Sequence, residues 1–287
     1  IYKGMRFYNH GPYVHDYLRE FRKDVLDHYD CVTLAEAPLV TPKKALEYID
    51  EKQGQIDMMI QFESQCADCL FTDWLPTPFS LRRLKHAFSK WQNQLDGKAW
   101  NVLYLENHDH PRVLSRYGNE LYRESAKTLA VSYLFLKGTP FIYQGQEIGM
   151  TNFRPKDPLC YEDVHTLNQY ERMKDKKSLD QCLKRLWRSS RDSALTPMQW
   201  DDSIYAGFSD VKPWFCVNDN YKTVNVCQQK DDPHSILSFY KKVIHLRKSL
   251  HVVREGDYKV YFPYHKYLYV YSRQTKNQKI LVICSFT

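Results

Sequence analysis

Apolar side chains at Val14, Leu18, Phe21 and Val25 recur at a helical period, and Gly11-Pro12 punctuates the start, so residues 13 to 28 are expected to form an amphipathic helix. The run Cys31-Val32-Thr33-Leu34-Ala35 then reads as a short buried strand ending at Glu36, and Thr41-Pro42 opens a helix to about residue 50. The pattern repeats. Strands are expected at 56 to 62, 99 to 105 and 140 to 143, with helices at 80 to 95 and 122 to 136 between them. Strand and helix in regular alternation imply parallel βα units, in either an open doubly wound sheet or a closed barrel.

Polar residues choose between these two. Glu36, Glu63, the Asn107-His108-Asp109 triplet and Gln144 each follow the last apolar residue of a strand, and a barrel gathers such ends on one face. A doubly wound nucleotide-binding sheet would carry a Gly-rich phosphate loop after a strand, and no such loop is present in the sequence. The fold class is therefore α/β, parallel βα units of a barrel, followed by the start of an antiparallel all-β domain. The barrel part spans residues 1–250 and includes an aromatic-rich insertion at about 146–235, with short helices near 163 to 174 and 178 to 189. A helix capped by Ser235 follows to residue 250, and residues 251–287 change to alternating strands such as Tyr267-Leu268-Tyr269-Val270-Tyr271.

Composition narrows the function class. The chain has 287 residues, 43% of them hydrophobic, enough for a sizeable core. Its formal charge of +7 is spread among acidic residues, and the densest basic cluster, Lys174, Lys176 and Lys177, is short, so no nucleic-acid partner is expected. No run approaches the roughly 18 apolar residues of a membrane span, so no membrane partner is expected either. Eight cysteines in so large a chain read as reduced thiols of a cytoplasmic protein. Cys66-Ala-Asp-Cys69 has zinc or redox spacing but no second pair at a suitable interval, and reads as two loop cysteines. His108 and His110 lack a third ligand at a recognisable spacing, so no metal is assigned.

Two carboxylates carry the chemistry. A carboxylate that closes a buried strand is costly unless hydrogen-bonded or raised in pKa, and a raised carboxyl suits general acid work, which points to Glu36. The segment Glu106-Asn107-His108-Asp109-His110-Pro111-Arg112 supplies a second acid one strand-helix-strand unit on. Paired acids on neighbouring barrel loops, with aromatic faces such as Phe62 for stacking, are what glycoside hydrolysis needs, and an oligosaccharide is the expected partner.

Thr33-Leu34-Ala35-Glu36 resembles the acid/base strand of the α-amylase superfamily, and Asn107-His108-Asp109-His110-Pro111-Arg112 resembles its Asn-His-Asp-Gln-Pro-Arg motif. The stretch from Lys137 to Met150 and Thr196-Pro197-Met198-Gln199-Trp200-Asp201 are similar to segments shared by oligo-1,6-glucosidases, dextran glucosidases and trehalose-6-phosphate hydrolases. The resemblance implies that these units are the C-terminal half of a (β/α)8 TIM barrel, and that the protein is an α-glucosidase acting on α-1,6- or α-1,4-linked glucose, with no cofactor; any structural calcium would lie upstream. Glu36 would be the acid/base and Asp109 the transition-state stabiliser. His108 would bind a glucose hydroxyl, and Arg112 would line the pocket or anchor its carboxylates. The superfamily also contains catalytically silent subunits of amino-acid transporters, which typically lose these motif residues.

The retaining mechanism of this superfamily also needs an Asp nucleophile. Phe21-Arg22-Lys23-Asp24-Val25 imitates its setting, yet Asp24 lies in a helical pattern only 12 residues before Glu36, where a βα unit needs roughly thirty. Asp24 is read as a helix-surface charge. The chain opens on Ile1 rather than Met, so it is expected to be a piece whose nucleophile and first four strands lie upstream, inactive alone. Two departures touch substrate choice: His110 replaces Gln, and Leu195 stands where Arg is usual.

Overall fold

A computed structural model describes residue 4 and residues 9–286; residues 1–3, 5–8 and 287, including the opening stretch just discussed, lie outside it. Helix α1 (Val14–Asp24) follows the helical period, but none of its residues is buried. Val14 and Leu18 pack partly against the core, while Tyr17 and Phe21 stand exposed. Strand β1 (Leu34–Glu36) leads to helix α2 (Pro42–Ile49), whose cap Thr41 accepts the Lys44 amide at 3.3 Å, with Pro42 in the first turn where a missing N–H costs nothing. Strand β2 (Met58–Ile60) then pairs in parallel with β1, Glu36 opposite Ile60.

A hairpin follows that the hydrophobic pattern does not announce. Strand β3 (Cys69–Leu70) turns back into β4 (Thr72–Pro76) through Phe71, which adopts a left-handed φ of 65°. Helix α3 (Leu81–Leu95), capped by Ser80, leads to β5 (Val102–Leu103), and helices α4 (Val113–Tyr117) and α5 (Arg123–Leu134) lead to β6 (Thr139–Pro140). Strands β5 and β6 pair in parallel. The last expected strand is thus cut short: Pro140 offers no N–H to the ladder, and the Phe141 amide bonded to the Leu103 carbonyl is its final rung. The two parallel pairs meet where Met58 packs on Val102 and Tyr104, and where the Tyr104 hydroxyl donates to the Gln61 carbonyl at 2.6 Å.

The insertion contains α6 (Val164–Lys174) and α7 (Leu179–Ser189), capped by Asp163 and Ser178, then α8 (Asp192–Leu195) and α9 (Val226–Gln229). Helix α10 (Ile236–Ser249) carries the Ser235 cap, and α11 (His251–Glu255) precedes an antiparallel sheet of β7 (Asp257–Tyr261), β8 (Leu268–Gln274) and β9 (Lys279–Ser285). The chain is therefore still helical at the boundary expected at residue 251. The sheet has no core of its own: Tyr269, Tyr271, Val282 and Cys284 share one apolar cluster with Leu84 and Phe88 of α3, Tyr133 of α5 and Tyr240 of α10.

Buried cations stitch the sheet to the helices. Lys85 on α3 is 1% exposed, and its ammonium donates to the carbonyls of Phe262, His265 and Leu268 at 2.8–3.0 Å. Arg273 on β8 donates to the Gln92 side chain on α3 and to the Gly256 carbonyl.

Candidate active site

The segment after β5 is built on a buried base. Glu106 is buried; its carboxylate accepts the Val113 amide at 2.7 Å and lies 3.5 Å from the Arg112 guanidinium. Burial pushes the Glu106 carboxyl up, against the pull of Arg112. Arg112 itself is 0% exposed and donates to the carbonyls of Ser193 and Gln144 at 3.0 and 2.6 Å, while Asn152 accepts its amide at 2.8 Å. Arg112 is therefore held inside the protein, between Glu106 and main-chain carbonyls.

On that base the loop turns outward. The Asn107 side chain accepts the Asp109 amide at 3.0 Å, an Asx turn that orients the acid. His108 is exposed, with Nε2 3.5 Å from Asp109 Oδ2, while Asp109 Oδ1 accepts from Arg191 Nη1 at 2.7 Å. Arg191 reaches from the residue before α8, and its Nε donates to Asp163 Oδ1 at 2.8 Å. Burial alone would raise the Asp163 carboxyl, but the amide and hydroxyl of Thr166 together with Arg191 hold it below the usual range. Sequence reasoning fixed on Leu195 and missed Arg191, four residues earlier. The signal available was an arginine beside Asp192 just ahead of the Thr-Pro-Met-Gln-Trp segment.

His110, the departure from the usual Gln, has a carboxylate partner: its Nδ1 lies 2.6 Å from Asp73 Oδ2 on the hairpin strand β4. Asp73 Oδ1 is 3.0 Å from Arg116 on α4, and Arg116 also donates to Asp68 at 2.7 Å. Arg188 on α7 donates to Asp68 at 2.7 Å, and the Ser189 hydroxyl donates to the Asp73 carbonyl. The unforeseen hairpin thus holds the Asp109 loop at His110, as Arg191 holds it at Asp109. Asp68, Cys69 and Asp73 bring one ligand atom each within 4.8 Å of one another. Both carboxylates are already satisfied by Arg116, Arg188 and His110, so this is a filled ion-pair network and not a cation site.

The other candidates are placed differently. Glu36 ends β1 and is exposed, which corrects the expectation of a buried carboxyl. The reason is that β1, among the described residues, has a ladder partner on one side only, and Leu34 beside it is 40% exposed. Glu36 lies close enough to Tyr104 that its charge, after burial, helps push the Tyr104 hydroxyl up. Phe62 is half-buried, its ring 6.2 Å from the His110 imidazole, and it borders a cavity of about 760 Å³ with Val40, Cys66, His86 and Tyr264. Glu63 turns away to pair with Lys90 at 2.6 Å, and the Gln144 side chain donates to the Ala194 carbonyl. Asp24 is the last residue of α1 and is exposed. The fold therefore gathers His108, Asp109, His110 and Arg191, with Phe62 adjoining. Among the described residues no hydrogen bond or ion pair joins Glu36 to Asp109.

The profile of the α-amylase catalytic domain matches residues 2–256. The chain is 43% identical to the oligo-1,6-glucosidase of Parageobacillus thermoglucosidasius, over 99% of this chain and 51% of that protein. It is 38% identical to the trehalose-6-phosphate hydrolase of Bacillus subtilis (strain 168), again over 99% and 51%. Among solved structures, the trehalose-6-phosphate hydrolase of Bacillus licheniformis superimposes with a TM-score of 0.94 at 38% identity, over 99% of this chain and 52% of that one. Isomaltulose synthase from Klebsiella sp. LX3 superimposes with a TM-score of 0.90 at 32% identity, over 96% and 51%. The chain spans about half the length of the curated relatives it matches.

Proposed function

Because this chain belongs to the α-amylase catalytic-domain family, we propose that the protein is an α-glucosidase that removes terminal α-1,6- or α-1,4-linked glucose from short oligosaccharides. The observation that carries this reading is the mounting of Asp109: an accessible carboxylate just beyond a parallel strand, fixed by Arg191 and seated on a fully buried Arg112–Glu106 pair. The printed names of the relatives support the substrate class.

In this reading β1, β2, β5 and β6 are half of a (β/α)8 barrel, and strands beyond this chain close it over the bare edge of β1. They also bring the nucleophile. Glu36, enclosed by that closure, protonates the glycosidic oxygen as the bond to the anomeric carbon breaks, and the nucleophile captures the sugar as a covalent glycosyl-enzyme. Glu36 then takes a proton from the water that releases glucose with its anomeric configuration retained. Asp109 faces the positive charge that builds on the ring, His108 donates to a glucose hydroxyl, and Phe62 stacks on a sugar face. The chain alone is inactive, because half of the site is elsewhere. Eight cysteines, all free here, fit a cytosolic setting.

The test is glucose release by the full-length protein from isomaltose and maltose. Glu36→Gln and Asp109→Asn should each lower kcat by about 10²- to 10⁴-fold; wild-type-like rates in both variants would overturn the assignment. The TM-score of 0.94 to a trehalose-6-phosphate hydrolase supports a second reading, hydrolysis of that phosphorylated disaccharide. Trehalose 6-phosphate as a parallel substrate separates the two. The presence of Glu36, His108, Asp109 and Arg112 together weighs against a catalytically silent transporter subunit.

A further inference from the structure

Phe62, the ring beside His110, also borders the cavity of about 760 Å³, a volume within the roughly 300–1,000 Å³ of small-molecule sites. The cavity walls also carry Val40 ahead of α2, Glu63 after β2, Arg82 and His86 on α3, and Tyr264 in the loop between β7 and β8. That loop is braced. The buried Lys85 ammonium donates to the carbonyls of Phe262, His265 and Leu268, and His265 Nδ1 accepts the amides of Tyr267 and Leu268 at 3.2 and 3.0 Å. Phe262 is held there at a left-handed φ of 49°, and Leu39, on the wall ahead of Val40, stands at 62°. Bulky apolar residues keep this conformation only where their surroundings enforce it, as they do in ligand clamps.

The cations of the cavity differ in what already engages them. Lys85 has its three carbonyls, and Arg83 donates to the carbonyls of Cys66 and Cys69 and to the Thr77 hydroxyl at 2.9–3.2 Å. Arg82 and His86 are both exposed, four residues apart on one face of α3, and make no hydrogen bond or ion pair among the described residues. Glu63, the carboxylate of the lining, is paired with Lys90 through Oε1 at 2.6 Å, so the charge on Arg82 has no counter-ion. A planar guanidinium next to an imidazole offers several donors to one phosphate group. The rest of the lining suits a sugar ring. Tyr264 is 82% exposed and presents an aromatic face, Phe62 and Val40 are apolar, and Glu63 Oε2 remains to accept from a hydroxyl.

We propose that this cavity is a second ligand site, which binds a phosphate monoester of a sugar. The phosphate lies at Arg82 and His86, the ring lies against Tyr264 and Phe62, and a ring hydroxyl donates to Glu63. Phe62 is shared with the group around Asp109, but none of His108, Asp109, His110 and Arg191 lines the cavity. Binding here therefore requires neither of the carboxylates assigned to hydrolysis.

Isothermal titration calorimetry of the full-length protein with glucose 6-phosphate, glucose and inorganic phosphate tests the site. Glucose 6-phosphate should bind saturably below about 10 mM, and at least about tenfold more tightly than glucose or inorganic phosphate alone. Arg82→Ala should weaken the ester at least about tenfold, and Arg82→Lys should recover part of that loss. Tyr264→Ala should weaken the ester and leave inorganic phosphate unaffected. Both side chains are exposed, so the variants should melt with the wild-type protein. Asp109→Asn should bind the ester as the wild-type protein does. Absence of saturable binding up to about 10 mM, equal affinity for inorganic phosphate and the ester, or full affinity in Arg82→Ala overturns the proposal. Binding lost in Asp109→Asn but kept in Arg82→Ala would place the ester beside Asp109 and overturn it equally.

Discussion

Arg191 and Asp109 stand 82 residues apart in sequence, and a 2.7 Å hydrogen bond joins them. The other edge of the same guanidinium binds Asp163, the cap of α6, so the insertion and the loop after β5 are fixed to one another by a single fork. Removing that fork leaves Asp109 to the Asn107 turn and His108. A charge-assisted bond is worth about 1.5–3 kcal/mol. If the proposed activity holds, Arg191→Met in the full-length protein should therefore lower kcat by about 10- to 100-fold, and Arg191→Lys, which lacks the guanidinium's fixed fork of donors, should recover only part. Steady-state kinetics of both variants checks this; an unchanged kcat in Arg191→Met would remove Arg191 from the site.

Arg116 lies between two carboxylates that are themselves largely buried. Arg116→Leu strips Asp68 and Asp73 of their shared cation, and breaking such a buried pair from one side costs about 3–5 kcal/mol. Urea denaturation should show the loss as a lower midpoint at an unchanged slope.

Asp73 makes the same network sensitive to acid. Burial alone would push its carboxyl up, but Arg116, His110 and Arg188 together hold it below the usual range. A carboxyl depressed in the folded state contributes stability above its unfolded value of about 3.9, and the contribution disappears as pH falls through the folded value. The thermal stability gap between the wild-type protein and Asp73→Asn should shrink as pH falls below about pH 4. A gap that widens over that acid range would contradict the assigned direction.

Gly138 enters β6 at a φ of 140°, and a Cβ there would collide with the backbone carbonyl of Asn101 at the start of β5. Gly138→Ala combines a disfavoured backbone with a clash against main chain that cannot rotate away. It should cost at least about 1–3 kcal/mol, read as a lower melting temperature.

Helix starts were legible because capping is local chemistry. Thr41, Ser80, Asp163, Ser178 and Ser235 each accept an amide within three residues of themselves. The β3–β4 hairpin was not, because its strands are two and five residues long and its left-handed turn residue is Phe71, not Gly or Asn. At the site, the placement of Asp109 and Arg112 on one loop after β5 could be read from one contiguous segment. The clamps could not: Asp73 lies 37 residues from His110, and Arg191 lies 82 from Asp109. Both are ordinary charged residues until tertiary structure gives them partners. The exposure of Glu36 escaped for a related reason, since an apolar run shows that a strand forms but not which neighbours flank it.

Lys85 bears on how the chain matures. Its carbonyl partners lie 177 to 183 residues later, so a ribosome making this chain exposes α3 long before it makes the peptide groups that solvate the Lys85 ammonium. Throughout that interval the apolar face of α3, with Leu84 and Phe88, has no sheet to close on. The principal core is thus completed only after β8 and β9 have been made, and the growing polypeptide must be kept from aggregating until they have emerged.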